Sequence, residues 1–287
     1  MLSLIAKIKK KNKKKGLSKK IVLEIEKISK KINSKKNINF LHSGHLGDLI
    51  NSLPVIKEIA KKNTCNLLIN IEKKVGEVNI DRLHPSKEVY LTQNSFNKIL
   101  PLLNKQPFLS KVNLYKKETI DINLDFFRDL PINFNIDSVR WYSHLTGVHP
   151  DLSKPYLLKI EKDRKYKKSI IIMRSLRRQN QNIKFNFLNK YNDILFIGLR
   201  NEYLDLKKQI KNLKFYDCKD FLEMAQIIKS CKLFIGNLSF GFTIAEALKV
   251  PRLLESYLDF PLVYPNGKDG YEFYFQNHFE KFVKKKI

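Results

Sequence analysis

Cysteine is scarce: Cys65, Cys218 and Cys231 are the only three in 287 residues. None forms a Cys-x-x-Cys pair, so the set argues against a disulfide framework or a zinc site and for a reducing compartment. Uninterrupted apolar runs long enough for a membrane-spanning helix are missing. The apolar start, Met1 to Ala6, is too short for a signal sequence, and lysines follow it instead of preceding it. These absences predict a cytoplasmic protein. Acidic residues are few: 28 Asp and Glu stand against 55 Lys and Arg, for a net charge of +27. That balance favours nucleic acid, an anionic membrane or a phosphorylated substrate, although Lys, Asn and Ile are abundant everywhere and a composition bias competes as the explanation. Zinc fingers, an aromatic RNP pattern and a basic zipper are all lacking, which disfavours nucleic acid. No convincing Asp-x-Asp motif occurs. Its nearest approach, Asp121-Ile122-Asn123 with Asp125, reads as a strand end with capping carboxylates, so no metal is expected.

What is present suffices for two domains. Hydrophobic residues make up 43% of the chain, with 19 Phe and 12 Tyr, which excludes a disordered protein. Residues 1–36 read as a basic helical extension. Leu2, Ile5 and Ile8 recur at helical spacing among lysines, Gly16 breaks the run, and Ile21, Leu23, Ile25, Ile28 and Ile32 form a second pattern. A basic amphipathic start of this kind can lie on anionic lipid at the inner face of a membrane; for residues 1–15 a solvated, frayed extension is the competing reading. Residues 37–160 begin with a strand at Ile38–Leu41, a glycine loop, a helix from about Leu49 to Lys62 and a strand at Asn66–Ile71. This βαβ unit predicts a parallel sheet. Pro150–Pro155 and the charged run Glu161–Lys168 read as a linker. Residues 161–265 then alternate strands (Ser169–Met173, Ile194–Gly198, Leu213–Tyr216, Lys232–Gly236, and one around Pro251–Leu254) with helices. The fold class expected is α/β, with two Rossmann-like domains facing each other across a cleft, and a tail, 266–287, packing back toward the first.

In doubly wound sheets, ligands bind at the carboxyl ends of the strands, and three loops there carry the candidate chemistry. The first is Ser43-Gly44-His45-Leu46-Gly47-Asp48. Gly44 and Gly47 let backbone approach a ligand, and the following helix start favours an anion. Asp48 is either that helix's N-cap or a general base, with His45 as the alternative base. The second is Arg174-Ser175-Leu176-Arg177-Arg178. Its arginines suit a diphosphate, and a solvated basic loop is the plainer reading. The third runs from Gly236 to Leu248. Asn237, Ser239, Gly241 and Thr243 stand at a helix N-terminus where backbone N–H groups could take phosphate. Glu246, one turn further, is a surface carboxylate or a ribose ligand. Gly198, closing its strand, joins the ligand-binding set.

The segment from Phe40 to Pro54, with His45-Leu46-Gly47-Asp48 at its centre, resembles the first loop and helix of the ADP-heptose:LPS heptosyltransferases. Leu233 to Pro251 is similar to the same family's nucleotide-binding segment. The resemblance implies the GT-B fold, transfer from a nucleotide sugar without a metal or cofactor, and Asp48 as the catalytic base. Where the family has Asn-Asp-Ser-Gly-Pro and then His, this chain has Asn237-Leu238-Ser239-Phe240-Gly241 and then Thr243, which leaves the donor sugar open. Phe240 to Leu248 is also similar to a glycine-rich motif of another GT-B family, in which a helix Glu holds the donor ribose, and Glu246 matches that Glu. The function expected is therefore a glycosyltransferase acting on a glycan or lipid-linked acceptor. The alternatives are a non-catalytic nucleotide-sugar-binding protein and, behind it, a nucleic-acid-binding protein.

Overall fold

The computed structural model describes residues 2–76, 84–129, 136–260 and 262–287, with backbone only for helix residues 2–15, 17 and 18. The N-terminal lobe contains helix α1 (Leu2–Ser34), strand β1 (Asn37–His42), helix α2 (Leu46–Ile59), strand β2 (Thr64–Ile69), helix α3 (Gln93–Asn104), strands β3 (Lys111–Leu114) and β4 (Ile122–Asn123), and helix α4 (Val139–Thr146). Its four strands are parallel, in the order β3-β2-β1-β4. Alternation sets the faces of β1: Ile38, Phe40 and His42 are buried, while the residues between them are more exposed.

The C-terminal lobe is built from strand β5 (Ile170–Met173), strand β6 (Ile194–Ile197), helix α5 (Arg200–Lys207), strand β7 (Lys214–Tyr216), helix α6 (Phe221–Ser230), strand β8 (Leu233–Gly236), helix α7 (Phe240–Leu248), strands β9 (Arg252–Glu255) and β10 (Gly270–Phe273), and helix α8 (Gln276–Lys286). All six strands are parallel, in the order β10-β9-β8-β5-β6-β7. Helices cover both faces, so β6, β8 and β9 are buried throughout, and β6 and β8 read as unbroken apolar runs.

Each sheet has one place where strand order reverses: between β1 and β4 in the first lobe, and between β5 and β8 in the second. The loops after these strands form the crevice where such sheets take ligands. Helix α2 packs against α7, and α3 against α6, so the lobes meet through helices. One apolar cluster runs through both, from Ile38 and Phe40 to Phe242 and Leu248.

Three expectations about the ends of the chain change. Gly16 does not break α1, which is continuous through it; a helix tolerates one glycine at about 1 kcal/mol. The boundary at residue 36 is also misplaced. Ile28 is buried in the core, Ile25 and Ile32 pack beside it, and Lys31 Nζ donates to the Asp121 carbonyl at 2.7 Å. The pattern of Leu2, Ile5 and Ile8 lies outside the residues whose side chains are described. Finally, the tail does not return to the first lobe. Strand β10 pairs with β9, and Phe279 and Val283 of α8 enter the second lobe's own core. The crossing segment before β10 does touch the first lobe: the Ser138 amide donates to the Leu262 carbonyl at 2.7 Å, and the Asn266 amide side chain donates to Asp137 at 3.1 Å.

Candidate functional site

In the first lobe the site grows from the end of β1. His42 is buried, and its Nδ1 accepts from the Gly44 amide at 3.1 Å. Nε2 therefore carries the proton and donates to Tyr142 Oη, 3.1 Å away. Burial lowers the His42 pKa, which favours this neutral ring. The next residue, Ser43, gives both its amide, at 2.6 Å, and its hydroxyl to Asp125 Oδ2. Asp125 Oδ1 accepts from Arg128 Nε at 3.2 Å, and Arg128 Nη2 donates to Asp48 Oδ2 at 2.6 Å. The guanidinium lies 4.6 Å from the Phe127 ring centre and 5.2 Å from that of Tyr90. The end of Arg128 occupies the space beside Gly44: a Cβ there would meet Arg128 Nη2 and displace it.

Asp48 is not the helix cap. The N-cap of α2 is His45, in extended conformation and without a side-chain cap bond, and Asp48 stands in the first helical turn. Burial alone would raise its pKa, but the adjoining Arg128 reverses the effect and holds the carboxyl below the usual carboxylate range. A helix N-terminus acts in the same direction. Burial also lowers the His45 pKa. Its Nδ1 lies 3.0 Å from the Tyr90 carbonyl, to which it donates, so the neutral ring keeps a lone pair on Nε2. His84 packs against it with ring centres 4.3 Å apart.

In the second lobe the arginine loop follows β5. Arg174 departs from expectation. Its Nε and Nη2 hold Glu255 in a buried fork at 2.6 and 2.7 Å, which withdraws the guanidinium from any phosphate. Asn237, at the end of β8, fastens this loop: Oδ1 accepts from the Ser175 amide at 2.9 Å, and Nδ2 donates to the carbonyls of Ser175 and Arg177 at 2.9 and 2.8 Å. It positions the loop and is not itself available as a ligand. Arg178, at a positive φ of 55°, stacks on Phe260 at 3.9 Å. Arg177 is partly exposed and lies close enough to influence both His45 and Glu202.

Helix α7 opens at Ser239, an extended N-cap whose buried hydroxyl has no hydrogen-bond partner among the described residues. A helix N-terminus with an unused hydroxyl suits an anion. Gly241 serves packing instead: a Cβ there would stand 2.3 Å from Met173 Sδ. Thr243 Oγ1 donates to the Ser239 carbonyl at 3.4 Å and lies 3.4 Å from where a Cβ on Gly47 would stand. The start of α2 in one lobe therefore abuts the start of α7 in the other. Glu246 also departs from expectation, being neither a surface carboxylate nor accessible to a ribose. It is buried, accepting from Arg252 Nε, from Lys249 Nζ and from the Asn266 amide at 3.0 Å. Gly198, at φ 141°, ends β6 beside Glu202, whose carboxylate accepts from the Leu199 amide at 3.2 Å.

The fold has known counterparts. The glycosyl transferase family 9 structure from Veillonella parvula DSM 2008 superposes with a TM-score of 0.55 at 12% identity, covering 88% of this chain and 90% of that one. The E. coli heptosyltransferase WaaC with ADP-2-deoxy-2-fluoro heptose gives 0.50 at 10% identity, over 88% and 100%. The iron-containing dodecameric glycosyltransferase TibC from enterotoxigenic E. coli H10407 gives 0.51 at 13% identity, over 82% and 62%. The fold is that of the GT-B glycosyltransferases. No family model matches the sequence, and no curated protein matches it.

Within this GT-B frame the structure brings Gly44, His45, Gly47, Asp48, Ser239 and Thr243 to the facing ends of α2 and α7. Arg177 lies close enough to act on His45 electrostatically, and Asn237 holds the loop that carries it. Arg174 and Glu246 belong to buried ion pairs elsewhere. Asp125 and Arg128 were not foreseen as site residues, since their partners Ser43 and Asp48 lie 80 or more positions away. Among the described residues, no group of three or more His, Cys, Asp or Glu side chains could hold a metal ion.

Proposed function

We propose that this chain is a glycosyltransferase that moves a sugar from a nucleoside-diphosphate sugar to a hydroxyl of a glycan or lipid-linked acceptor, without a metal. The observation that carries the reading is the apposition of the two helix starts: an ionised Asp48 at α2, and the Ser239 hydroxyl at α7 with Arg177 nearby. In this reading the diphosphate lies on the α7 end, where the helix dipole, Ser239 and Arg177 stabilise the charge that grows on it as the glycosidic bond breaks. Asp48 takes the proton of the acceptor hydroxyl as its oxygen bonds to the anomeric carbon, and the diphosphate leaves with the electron pair of the broken bond. Adenosine-diphosphate sugars come first among donors to try, because WaaC is described with one. A cytoplasmic site of action, with the lysine-rich start of α1 on an anionic membrane, completes the reading.

A thermal-shift screen of nucleoside diphosphates and nucleotide sugars tests the first half. A ligand at about 100 times its dissociation constant adds ~2.7 kcal/mol of stability. Asp48→Asn tests the second. Donor binding should persist while turnover falls by about 100- to 10,000-fold. The substitution should also cost stability, about 1–3 kcal/mol, because Arg128 loses an ionised partner. Normal turnover would transfer the base role to His45 or end the reading.

A further inference from the structure

The first-lobe network has more structure than a lone base requires. Two carboxylates share one guanidinium, and all three side chains are largely withdrawn from water: Asp125 is 1% exposed, Arg128 15% and Asp48 19%. Arg128 is fixed from four sides, by Asp125, by the Phe127 and Tyr90 rings, and by the absence of a side chain at Gly44. Asp125 is fixed in turn by the amide and hydroxyl of Ser43, in the same loop that leads into α2.

We propose that Arg128 is a positioning residue for Asp48: anchored on Asp125, it holds Asp48 by Oδ2 and leaves the acceptor proton to Oδ1. The proposal rests on the reading of Asp48 as the base. When Asp48 takes the proton it becomes neutral, and a buried guanidinium with no other partner would then be left uncompensated, a state that is strongly unfavourable. Asp125 prevents this. It stays ionised throughout: burial works against the charge, but His42, the Arg128 guanidinium and the bonds from Ser43 and Arg128 together hold its pKa low. The second carboxylate thus lets the first change charge without losing Arg128.

The test follows the Asp48 carboxyl itself by carbon-13 NMR across pH, in the whole protein and without substrate. Compared with wild type are Arg128→Gln, Arg128→Lys and Gly44→Ala. The last variant keeps every charge, and its new methyl group displaces the end of the Arg128 side chain. In Arg128→Gln and Gly44→Ala the Asp48 titration should move up by about one to three pH units, and Arg128→Lys should restore most of the wild-type value. If Arg128→Gln fails to fold, Gly44→Ala and Arg128→Lys still decide the matter. An Asp48 titration that stays at its wild-type position in Gly44→Ala overturns the proposal. Because no turnover is measured, this failure is distinct from that of the base assignment, which Asp48→Asn tests separately.

Discussion

Glu246 is 5% exposed and closed in by two cations, Arg252 and Lys249, with the Asn266 amide completing its shell. Arg252 is itself fully buried and also donates to the carbonyls of Val250 and Asn266 at 3.0 and 2.5 Å. Removing one partner of such a buried pair costs about 3–5 kcal/mol, because the remaining charge is stranded. Glu246→Ala should therefore lower the denaturant midpoint sharply. Affinity for a nucleoside diphosphate and for a ribose-free diphosphate, measured by calorimetry on the folded fraction, should change little and alike. A loss confined to the ribose-bearing ligand would return Glu246 to the donor site. Three residues beyond Thr243, an acid on an apolar stretch looks in sequence like a ligand reaching outward. Lys249 stands one helical turn on, but Arg252 comes from β9 and the Asn266 amide from a segment 20 residues on, and nothing in the helix announces those two. The same holds for Arg174, whose partner Glu255 is 81 positions away. Gly47 and Asp48 were legible because a glycine followed by an acid at a helix start is a local signal.

Among elements, legibility followed burial. Strands β6 and β8 are covered on both faces and show as continuous apolar runs, Ile194–Ile197 and Leu233–Gly236. Strand β4 has two residues and offers no periodicity, yet it places Asp125 and Arg128. Strand β10 and helix α8 read in sequence as a basic tail packing back toward the first lobe, because Lys281 and Lys284 to Lys286 surround the Phe279 and Val283 that reach the second lobe's core. Helix α1 divides the other way. Its second half is anchored by Ile28 and by Lys31 on the Asp121 carbonyl, with Lys35 just past its end paired to the Asp121 carboxylate at 2.5 Å, while Val22 and Leu23 are more than half exposed. Deleting residues 1–20 should leave the melting temperature nearly unchanged and remove nine lysines, each contributing about 1 kcal/mol where it meets an anionic bilayer. Sedimentation with vesicles containing phosphatidylserine should fall accordingly. Deletion through residue 36 should unfold the first lobe, since Ile28 and both Asp121 contacts go with it. Equal sedimentation of the 1–20 deletion and the full chain would remove α1 as the membrane contact.

At the scale of the whole molecule, the lobes are joined beside α4 and α7 by a polar knot with one unusual member. Asp137 is buried, and burial pushes its pKa up to about 6, against the Asn266 bond that works to lower it. The charged and titratable groups around it come from every neighbouring element: Arg140 on α4, Glu246 and Lys249 at α7, Tyr156 on the linker and Tyr264 on the crossing segment. A carboxyl whose folded pKa exceeds its unfolded value near 3.9 binds its proton more tightly in the folded state. Its contribution is therefore full below about pH 4 and is lost as pH rises through about 6. A shift of that size corresponds to roughly 2–3 kcal/mol. Asp137→Asn keeps an oxygen for the Asn266 amide and cannot ionise, so the variant should exceed wild type in stability above pH 7 and lose that advantage toward pH 4. Asp48, Asp121 and Asp125 have lowered pKa values and oppose this slope, since what they contribute is lost at acid pH. For that reason the quantity to measure is the difference between variant and wild type in urea unfolding at each pH, in which those common terms cancel. A difference that stays flat from pH 4 to 8 would mean that Asp137 is ionised in the folded protein at neutral pH at no cost, and that the junction between the lobes does not respond to pH through this residue.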